Sequence, residues 1–552
     1  MTLKDLVSLG LGGTIGSGIF VLSGFIACRF AGPATPLCFV ISGFCAVLSG
    51  CCYAELSAKI PVSGSAYAYV YTCMGEYFAV VAAACLTLEY MISGSAVARS
   101  WGDKVLEWLK VEMEAGDWAE KVFEPFGPDS FNPLAGLLSG LTVYLLYRGV
   151  RESKRVTNVV TVAKVMVVLF MTIGGFFLFK VGNVRPFVPP HSVNPETNKE
   201  FVGGFAGVIR GATSSFFGYL GYDEVCCVAG EAINPSVNVP RAVMLTIMGA
   251  ATLYVMATAA LTGMQPYELI SESSGFPDAF HYNGATVAAQ FAAAGEVFTL
   301  PLVVLVSLLA QPRVYYMMSL DGLLPKVFRE IDYSGGGEGN LTKGILICGA
   351  IMTIIAAFVP FSLLNDMISA GVLVSFSLTD SSLLLLRRTS SGGGSLERSI
   401  ASINFVSFVG SLIFVRVKNW FGTLTFVFTI FFVCWVARKI GKECPEARMK
   451  NGEENLFRTP MVPFLPCTAI FINWYLIAQL EVLGLGLLTV YMGLTTLLYF
   501  GYSIRNSIGN NDGWKGGEGG GEGGIELTDK DNVGLLGGEE RSGGGGEGGG
   551  EI

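Results

Sequence analysis

Apolar stretches of about 20 residues, the length that one helix needs to cross a bilayer, recur along almost the whole chain. Short polar or charged segments separate them, and the chain is therefore predicted to be an all-α polytopic membrane protein. The third, sixth and eighth stretches exceed a bilayer thickness and are expected to tilt, break or project from it. The pattern predicts fourteen spans, numbered in chain order, near residues 5–27, 36–56, 66–98, 133–147, 156–180, 201–229, 242–263, 285–318, 343–360, 364–386, 400–416, 420–437, 460–480 and 482–503.

Span 1 contains the stretch GLGGTIGSGIFVLSG, residues 10–24, in which six glycines interrupt an apolar helix. Each glycine in a helix interior costs ~1 kcal/mol relative to alanine. The stretch therefore favours a helix that breaks halfway, and we place the break at Gly16-Ser17-Gly18. The backbone N–H groups freed by a break need a cavity, another helix or a ligand. The second half-helix then presents a partly positive end, which suits a carboxylate.

Two other interpretations of these glycines remain open. The pattern loosely resembles a dinucleotide-binding loop, but no strand precedes it and no βαβ unit follows. Small residues also permit close packing of membrane helices. A second interruption favours the break, because span 6 carries Gly218 and Gly221 in its middle. Spans 1 and 6 would then open two successive five-helix blocks, the arrangement of an inverted-repeat secondary transporter with its site between the breaks.

The composition agrees with a membrane location and argues against several function classes. Apolar residues make up 51% of the 552 residues and charged residues 14%, whereas soluble proteins are about 25% charged. The formal charge of −8 comes largely from an acidic tail and gives no indication of nucleic acid binding. None of the thirteen cysteines forms a metal-type C-x-x-C pair, and His191 and His281 fall in predicted loops. We expect no metal, no cofactor and no enzymatic nucleophile–base arrangement.

Basic residues predict the orientation of the chain. The loops after spans 4, 10 and 12 are rich in Lys and Arg, whereas the loop 102–132 is acidic and the loop 264–284 contains no Lys or Arg. Because cytoplasmic loops are enriched in basic residues, both termini are predicted to be cytoplasmic. The glycosylation-type triplet Asn340-Leu341-Thr342 would then lie on the cytoplasmic side and stay unmodified.

The chain beyond residue 504 is rich in Gly and Glu and is predicted to be disordered. Within it, Asp531-Asn532-Val533-Gly534-Leu535-Leu536 fits an acidic dileucine signal for a sorting adaptor, although short patterns also arise by chance in a biased tail. The expected membrane is accordingly the plasma membrane or a vacuolar-type membrane. We predict a ten-helix core over 1–398, four additional spans over 399–505 and a cytoplasmic tail over 506–552.

Seven stretches carry a resemblance to a known family: GTIGSGIF (13–20), CYAELSAKIPVSGSAYAYVY (52–71), LEYMISGSAVARSW (88–101), FFGYLGYDEVCCVAGEAINPSVNVPRA (216–242), PRVYYMMSLDGLLPK (312–326), PMVPFLPCTAIFINWYLIAQL (460–480) and LLYFGYS (497–503). They are similar to the cationic amino acid transporters of the amino acid–polyamine–organocation (APC) superfamily, over roughly residues 3–505. The resemblance implies a LeuT-like fold with a 5+5 inverted repeat and transport of arginine, lysine or ornithine, in some members also of neutral amino acids. The chain lacks the longer N-terminal segment typical of this branch, so its start could be truncated.

The resemblance also implies a substrate site built from backbone groups, with ordinary packing as the alternative role of Ser17 and Phe217. The N–H groups of Gly16, Ser17 and Gly18 would hold the substrate α-carboxylate. The α-ammonium would be held by carbonyls near Ile15, Phe217, Gly218 and Leu220, with Phe217 as a gate.

Two charged side chains lie within predicted spans. A carboxylate at the bilayer centre costs ~2.5–3.5 kcal/mol, so Glu89 of span 3 either attracts the cationic end of a substrate or forms a structural ion pair or hydrogen bond. Lys164 of span 5 either snorkels to the interface or, as the resemblance implies for proton-coupled relatives, reaches helix 1 and couples transport to protons. Arg210, Asp223 and Glu231 are expected to have structural roles around the break in span 6.

These observations lead to one main functional hypothesis and two alternatives. The main one is a proton-coupled secondary carrier of cationic amino acids in the lipid bilayer. A carrier of neutral amino acids or polyamines is the first alternative, although a polyamine has no α-carboxylate to bind the start of a half-helix. A non-transporting nutrient sensor is the second.

Overall fold

The computed structural model describes residues 1–62, 64–112, 131–148, 154–193, 200–272, 274–332, 341–387, 395–417, 419–443 and 456–508. The chain beyond residue 508, with the dileucine signal, and the triplet residue Asn340 lie outside the described residues. The residues Ile504–Asn506, predicted to lie at the start of the disordered tail, are helical. The described chain is almost entirely helical, apart from a two-stranded antiparallel pair, Ser192–Val193 with Glu200–Phe201.

Most helices follow the predicted spans, but two predicted loops are partly helical. The helix that continues span 3 runs on to Glu112, into the predicted loop 102–132, and the helix Gly275–Tyr282, which contains His281, lies in the predicted loop 264–284. The α-helices are Leu3–Thr14, Ser17–Phe20, Leu22–Ile26, Thr35–Lys59, Ala66–Met74, Glu76–Thr87, Ser93–Glu112, Pro133–Tyr147, Lys154–Phe177, Gly204–Ser215, Glu224–Cys227, Pro235–Met264, Gly275–Tyr282, Thr286–Leu320, Thr342–Phe358, Phe361–Leu386, Ser395–Arg416, Trp420–Glu443, Phe464–Ala478, Val482–Leu498 and Ile504–Asn506. Single π-helical turns at Ala27–Ala31, Leu88–Ile92 and Tyr499–Ser503 and short 3-10 turns, among them Phe216–Tyr219, interrupt or join them.

Within the described residues, nine helices are long and apolar enough to cross a membrane, and three shorter apolar helices accompany them. The chain is thus an all-α, multi-pass membrane protein. The count of fourteen spans remains a prediction, because spans 1 and 6 are each divided into pieces too short to qualify alone.

The long predicted spans 3 and 8 differ in how they use their extra length. Span 3 breaks at Gly75, whose φ of +94° is a backbone conformation that side chains with a Cβ rarely adopt. The helix Ala66–Met74 is therefore separate from the helix that begins at Glu76. Span 8 instead runs as one 35-residue helix, Thr286–Leu320.

Three pairs of spans that lie five apart in chain order pack against each other. Span 2 lies along span 7, where Gly50 faces Ile247, and span 4 lies along span 9, where Gly349 faces Val143. Span 3 lies along span 8 in the same way. Small residues at such crossings let the helix backbones approach closely.

A polar network joins the C-terminal spans to the first ten. The buried carboxylate of Asp380 in span 10 accepts hydrogen bonds from Ser49 Oγ of span 2 at 2.9 Å and from Asn473 Nδ2 of span 13 at 3.3 Å. Nearby, Trp474 Nε1 of span 13 donates to Asn404 Oδ1 of span 11 at 2.9 Å. The additional helices are therefore held to the core by directional bonds as well as by apolar contact.

Spans 3 and 8 are linked by a buried ion pair. Lys104 Nζ lies 2.6 Å from Glu296 Oε2, and the two residues are only 4% and 2% exposed. Removing one partner of such a pair leaves a charge in a poorly solvated site, which typically costs about 3–5 kcal/mol.

We therefore expect Glu296→Ala to lower the thermal unfolding temperature of the detergent-solubilised protein markedly. The double variant Lys104→Met, Glu296→Leu should recover most of that loss, because two apolar side chains leave no charge to solvate. The exposed pair of Lys343 and Glu330 provides the control, since Glu330→Ala should change stability by less than about 1 kcal/mol. Equal losses at the two sites would contradict this account.

Candidate functional site

The first helix is interrupted one residue earlier than predicted. Its first half, Leu3–Thr14, ends where Ile15 N–H donates to Leu11 O at 2.8 Å and Ile15 turns to an extended conformation with φ −74° and ψ 104°. Gly16 completes the turn. The predicted break at Gly16-Ser17-Gly18 is therefore corrected to Ile15-Gly16, and the second half of span 1 begins at Ser17. Only Ile15 and Gly16 lie outside helical structure here, and the helix resumes at Ser17.

Span 6 is interrupted where the sequence predicted it. The helix Gly204–Ser215 tightens into the 3-10 turn Phe216–Tyr219, and Leu220 is extended with φ −62° and ψ 151°. Gly221 follows with φ +107°, after which the short helix Glu224–Cys227 begins. A φ of this sign is readily adopted only by glycine, which explains why the unwinding occurs here.

The two interruptions are in direct backbone contact. A Cβ on Gly18 would lie 2.5 Å from Gly218 Cα, and a Cβ on Gly221 would lie 2.7 Å from Thr14 N. Neither position can hold a side chain unless the two spans separate. The glycines thus bring carbonyl groups of span 6 next to the start of a half-helix in span 1, whose first N–H groups have no partner within that helix.

Tyr254 of span 7 links both interruptions and was not identified from the sequence. Its hydroxyl lies 2.6 Å from Thr14 O and 2.8 Å from Gly218 O, so its single proton is shared between backbone carbonyls released on the two sides. Its ring is fully buried between those of Phe39 and Tyr219. In the sequence only a polar hydroxyl within an apolar span distinguished this residue.

Lys164 of span 5 lies beside the first half-helix of span 1. Its side chain is fully buried, and Nζ donates to Gly12 O at 2.6 Å, so it does not extend to the interface. One turn earlier, Thr161 Oγ1 donates to Ser8 O at 2.9 Å. Two polar side chains of span 5 therefore bind backbone carbonyls of span 1 within the last two turns before its break.

Glu89 lies in a buried cluster of acidic side chains that reaches the end of the first half-helix of span 1. It is 2% exposed, occupies the π-helical turn Leu88–Ile92, and its carboxyl oxygens accept no hydrogen bond from an N–H or hydroxyl group of the described residues. Asp223 is fully buried and accepts a hydrogen bond from the Tyr90 hydroxyl. Both Asp223 and Glu224 interact with the carboxyl group of Glu89. The carboxyl group of Glu224 also lies against Gly13, at the end of the first half-helix.

The three charges expected to be structural around span 6 behave differently from one another. Arg210 pairs with Glu481 at 2.7 Å, and Glu231 pairs with Arg313 at 3.4 Å. Asp223 lies at the start of the helix Glu224–Cys227 without capping it through its side chain, and belongs instead to the acidic cluster. The sequence signal for this cluster was the pair of adjacent acidic residues within an apolar span.

Aromatic rings cover one side of the interruptions. The ring centroid of Phe217 lies 5.9 Å from that of Phe361 at the start of span 10. The ring centroid of Phe361 in turn lies 6.2 Å from that of Phe25 in span 1. Farther along span 1, Arg29 forms a two-pronged ion pair with Glu272, with N–O distances of 2.9 and 3.2 Å. Among the described residues no cluster of three or more His, Cys, Asp or Glu side chains is arranged to hold a metal ion.

Comparison with known proteins relates the chain to a family of transporters. The amino acid permease family model matches residues 1–444, and the model of the C-terminus of such permeases matches residues 457–507. The chain is 30% identical to the mitochondrial cationic amino acid transporter 3 of Arabidopsis thaliana, over 92% of this chain and 91% of that protein. It is 27% identical to the human cationic amino acid transporter 4, over 92% and 87%. It is also 32% identical to a methylthioribose transporter of Bacillus subtilis, over 70% and 80%.

These relatives are transporters rather than enzymes, and the match extends over both the interrupted spans and the C-terminal helices. The chain therefore belongs to the cationic amino acid transporter family of the APC superfamily, a family of multi-pass amino acid permeases.

Proposed function

We propose that this protein is a proton-coupled secondary transporter of cationic amino acids that holds its substrate between the interruptions of spans 1 and 6. The observation that carries the proposal is the backbone contact of Gly18 with Gly218. There the start of one half-helix meets released carbonyls of another. A zwitterion needs hydrogen-bond donors and acceptors close together, and this junction supplies both without a charged side chain.

In this proposal the α-carboxylate binds the N–H groups of Gly16, Ser17 and Gly18. The α-ammonium binds carbonyls near Ile15 and Leu220. Both residues are extended, so their carbonyl groups are not committed to regular helix bonds.

Two carbonyls of the predicted ammonium site have partners already. Gly218 O accepts from Tyr254, and Phe217 O accepts from Leu220 N–H at the long distance of 3.5 Å. Each carbonyl oxygen has two lone pairs, so a second donor can still bind. Tyr254 then keeps the ammonium site in shape, and the ring of Phe217 against Phe361 acts as the gate.

The cationic end of the substrate binds the acidic cluster of Glu89, Asp223 and Glu224. A carboxylate in a poorly solvated site is costly unless a positive group or a hydrogen bond compensates it. The oxygens of Glu89 accept no hydrogen bond from an N–H or hydroxyl group of the described residues, which makes this side chain the strongest attraction for an arginine or lysine side chain.

Lys164 supplies the proton coupling in this proposal. Its ammonium donates to Gly12 O and so holds span 5 against the half of span 1 that must move when access alternates. Loss of the proton weakens that bond and releases span 1. The pairing of span 2 with span 7, of span 3 with span 8 and of span 4 with span 9 supports an inverted repeat, which alternating access of this kind requires.

The orientation, the division of the chain and the membrane remain parts of the proposal. The basic loops favour cytoplasmic termini. The network around Asp380 supports treating the four spans of 399–505 as an addition bound to the core of 1–398. The dileucine Leu535-Leu536 in the tail 506–552 would direct the protein, through a sorting adaptor, to a vacuolar-type membrane rather than the plasma membrane.

Gly18→Ala tests the contact of the two interruptions. The added Cβ overlaps backbone atoms of Gly218, and overpacking of this kind costs about 1–3 kcal/mol. We expect arginine uptake into proteoliposomes to fall about tenfold or more while the protein remains inserted and monodisperse. Gly140→Ala in span 4 is the matched control, because its Cβ would meet nothing within 4 Å. Unchanged uptake by the Gly18 variant would contradict the proposed site.

The substrate class is tested by uptake of labelled arginine, alanine and putrescine. Wild-type protein should carry arginine, whereas putrescine should not be carried because it lacks the carboxylate that binds the half-helix. Glu89→Gln should lower arginine uptake relative to alanine about tenfold, the usual effect of losing a charge-assisted hydrogen bond. Glu268→Gln in an exposed loop serves as the control. Transport of putrescine, or equal loss of both amino acids, would refute the assignment.

Variants of Lys164 separate coupled transport from exchange. Lys164→Asn should retain arginine exchange but lose its acceleration by an inward proton gradient. Lys164→Arg should block transport, because a guanidinium does not lose its proton. Lys180, exposed in the segment after the same span, is the control position. If the asparagine variant still concentrated arginine under a proton gradient, the coupling group would lie elsewhere.

A further inference from the structure

We propose that the face of span 10 carrying Asn365 and Ser369 is an uncharged polar subsite that binds a carboxamide group on the substrate side chain. The inference rests on the proposed function, since it assigns a second specificity region to the same transport site. It predicts that amino acids such as glutamine are substrates beside cationic ones.

The polar side chains of Asn365 and Ser369 are buried but form no hydrogen bonds within the described part of the chain. They are 1% and 0% exposed, and within the described part of the chain Asn365 Nδ2, Asn365 Oδ1 and Ser369 Oγ make no hydrogen bond. Later serines of the same helix bond normally, since Ser377 Oγ donates to Leu373 O at 2.9 Å. Buried polar groups are rarely left unsatisfied, and an amide without partners is costly in a membrane protein.

The helix directs these side chains toward span 6. Along an α-helix with about 100° per residue, Phe361, Asn365, Ser369 and Phe376 lie within an arc of roughly 80°. Phe361 and Phe376, the first and last of these residues along the helix, show what this face contacts. Phe361 packs on Phe217 at 5.9 Å between ring centroids.

The last residue of this face along the helix, Phe376, also contacts the interrupted segment of span 6. Phe376 lies 6.4 Å from Phe216 and 5.5 Å from Tyr222, which stand on either side of the unwound residues. Asn365 and Ser369 therefore lie between two contacts with the interruption of span 6. Residues on other faces of the helix have other neighbours, because Gly371 contacts Leu88 of span 3.

The chemistry of the subsite favours a group that both donates and accepts. A carboxamide such as Asn365 offers two N–H donors and one acceptor oxygen. Rotating the amide by half a turn exchanges its oxygen and nitrogen, so the site presents both an acceptor and donors in either orientation. A cationic side chain only donates and would leave the amide N–H groups unsatisfied. A substrate carboxamide satisfies both groups at once, and Ser369 Oγ can donate or accept beside it.

The subsite also explains how one pocket can distinguish two side-chain classes. Glu89 and its acidic neighbours attract a positive end, whereas Asn365 and Ser369 carry no charge. Replacing the amide by a carboxylate would remove the donors and add a negative charge. Asn365→Asp should therefore shift preference from glutamine to arginine.

The test uses the full-length protein in proteoliposomes with labelled glutamine, arginine and alanine. Asn365→Leu should raise the KM for glutamine about tenfold, the effect of leaving a buried polar group unpaired, while the KM for alanine stays unchanged. Asn365→Asp should lower the KM ratio of arginine to glutamine. Ser369→Ala should raise the KM for glutamine by a smaller factor. Ser407→Ala in span 11 is the control, because Ser407 is also buried and without a hydrogen-bond partner but lies on a helix packed against spans 12 and 13.

The outcomes separate this inference from the proposed function. Uptake of arginine and alanine without glutamine, or equal effects of the variants on all three substrates, would overturn the carboxamide subsite and leave the transporter intact. Unchanged kinetics in all three variants would indicate that only water fills the site and would likewise overturn it. If the wild-type protein neither transported nor bound any amino acid, as judged by uptake and by thermal stabilisation, the proposed function would fail first. If Asn365→Leu did not fold, Asn365→Asp and Ser369→Ala would still decide the question.

Discussion

The need to satisfy every backbone N–H and C=O group inside a bilayer determines how this protein is built. An unbroken helix does so by itself, but spans 1 and 6 are interrupted and cannot. The structure compensates by bringing the interruptions together. Glycines remove the side chains that would separate them, and Tyr254 and Lys164 supply donors to the released or exposed carbonyls. The positions of spans 5 and 7 follow from this requirement, because the two side chains have to reach span 1.

Buried charged side chains also need compensation, and most of those named above obtain it from side chains of opposite charge. Lys104 and Glu296 neutralise each other between spans 3 and 8, and Glu55 of span 2 binds Arg387 at the end of span 10. These pairs hold rigid parts of the molecule together. The acidic cluster around Glu89 differs from them, because the carboxyl groups of Glu89, Asp223 and Glu224 interact with one another. In the proposed function, that arrangement suits a place where a positive ligand binds and leaves rather than a permanent structural pair.

Much of the architecture could be predicted from local pattern, and the missing parts depended on contacts between distant residues. Runs of apolar residues located the helices to within a few residues, and clustered glycines marked both interruptions. The break in span 1 was placed one residue too late because glycine content indicates where a helix is weak, not which peptide unit turns. Tyr254 and Asn365 differed from their neighbours only as polar residues within apolar spans, and the role of Tyr254 depends on a carbonyl 36 residues away. Lys164 had two interpretations that only its depth in the packed bundle could separate.

The hydroxyl of Tyr254 bonds to Thr14 O across 240 residues of sequence, and this separation has a consequence for biosynthesis. At a translation rate of about 5–20 residues per second, span 1 leaves the ribosome on the order of tens of seconds before its partner is made. During that interval the carbonyl of Thr14 does not have the Tyr254 hydroxyl to bond with. Until span 7 has been synthesised, this carbonyl needs another donor, such as water at the membrane surface or within the insertion machinery. The junction of spans 1 and 7 therefore closes only after both spans have been made.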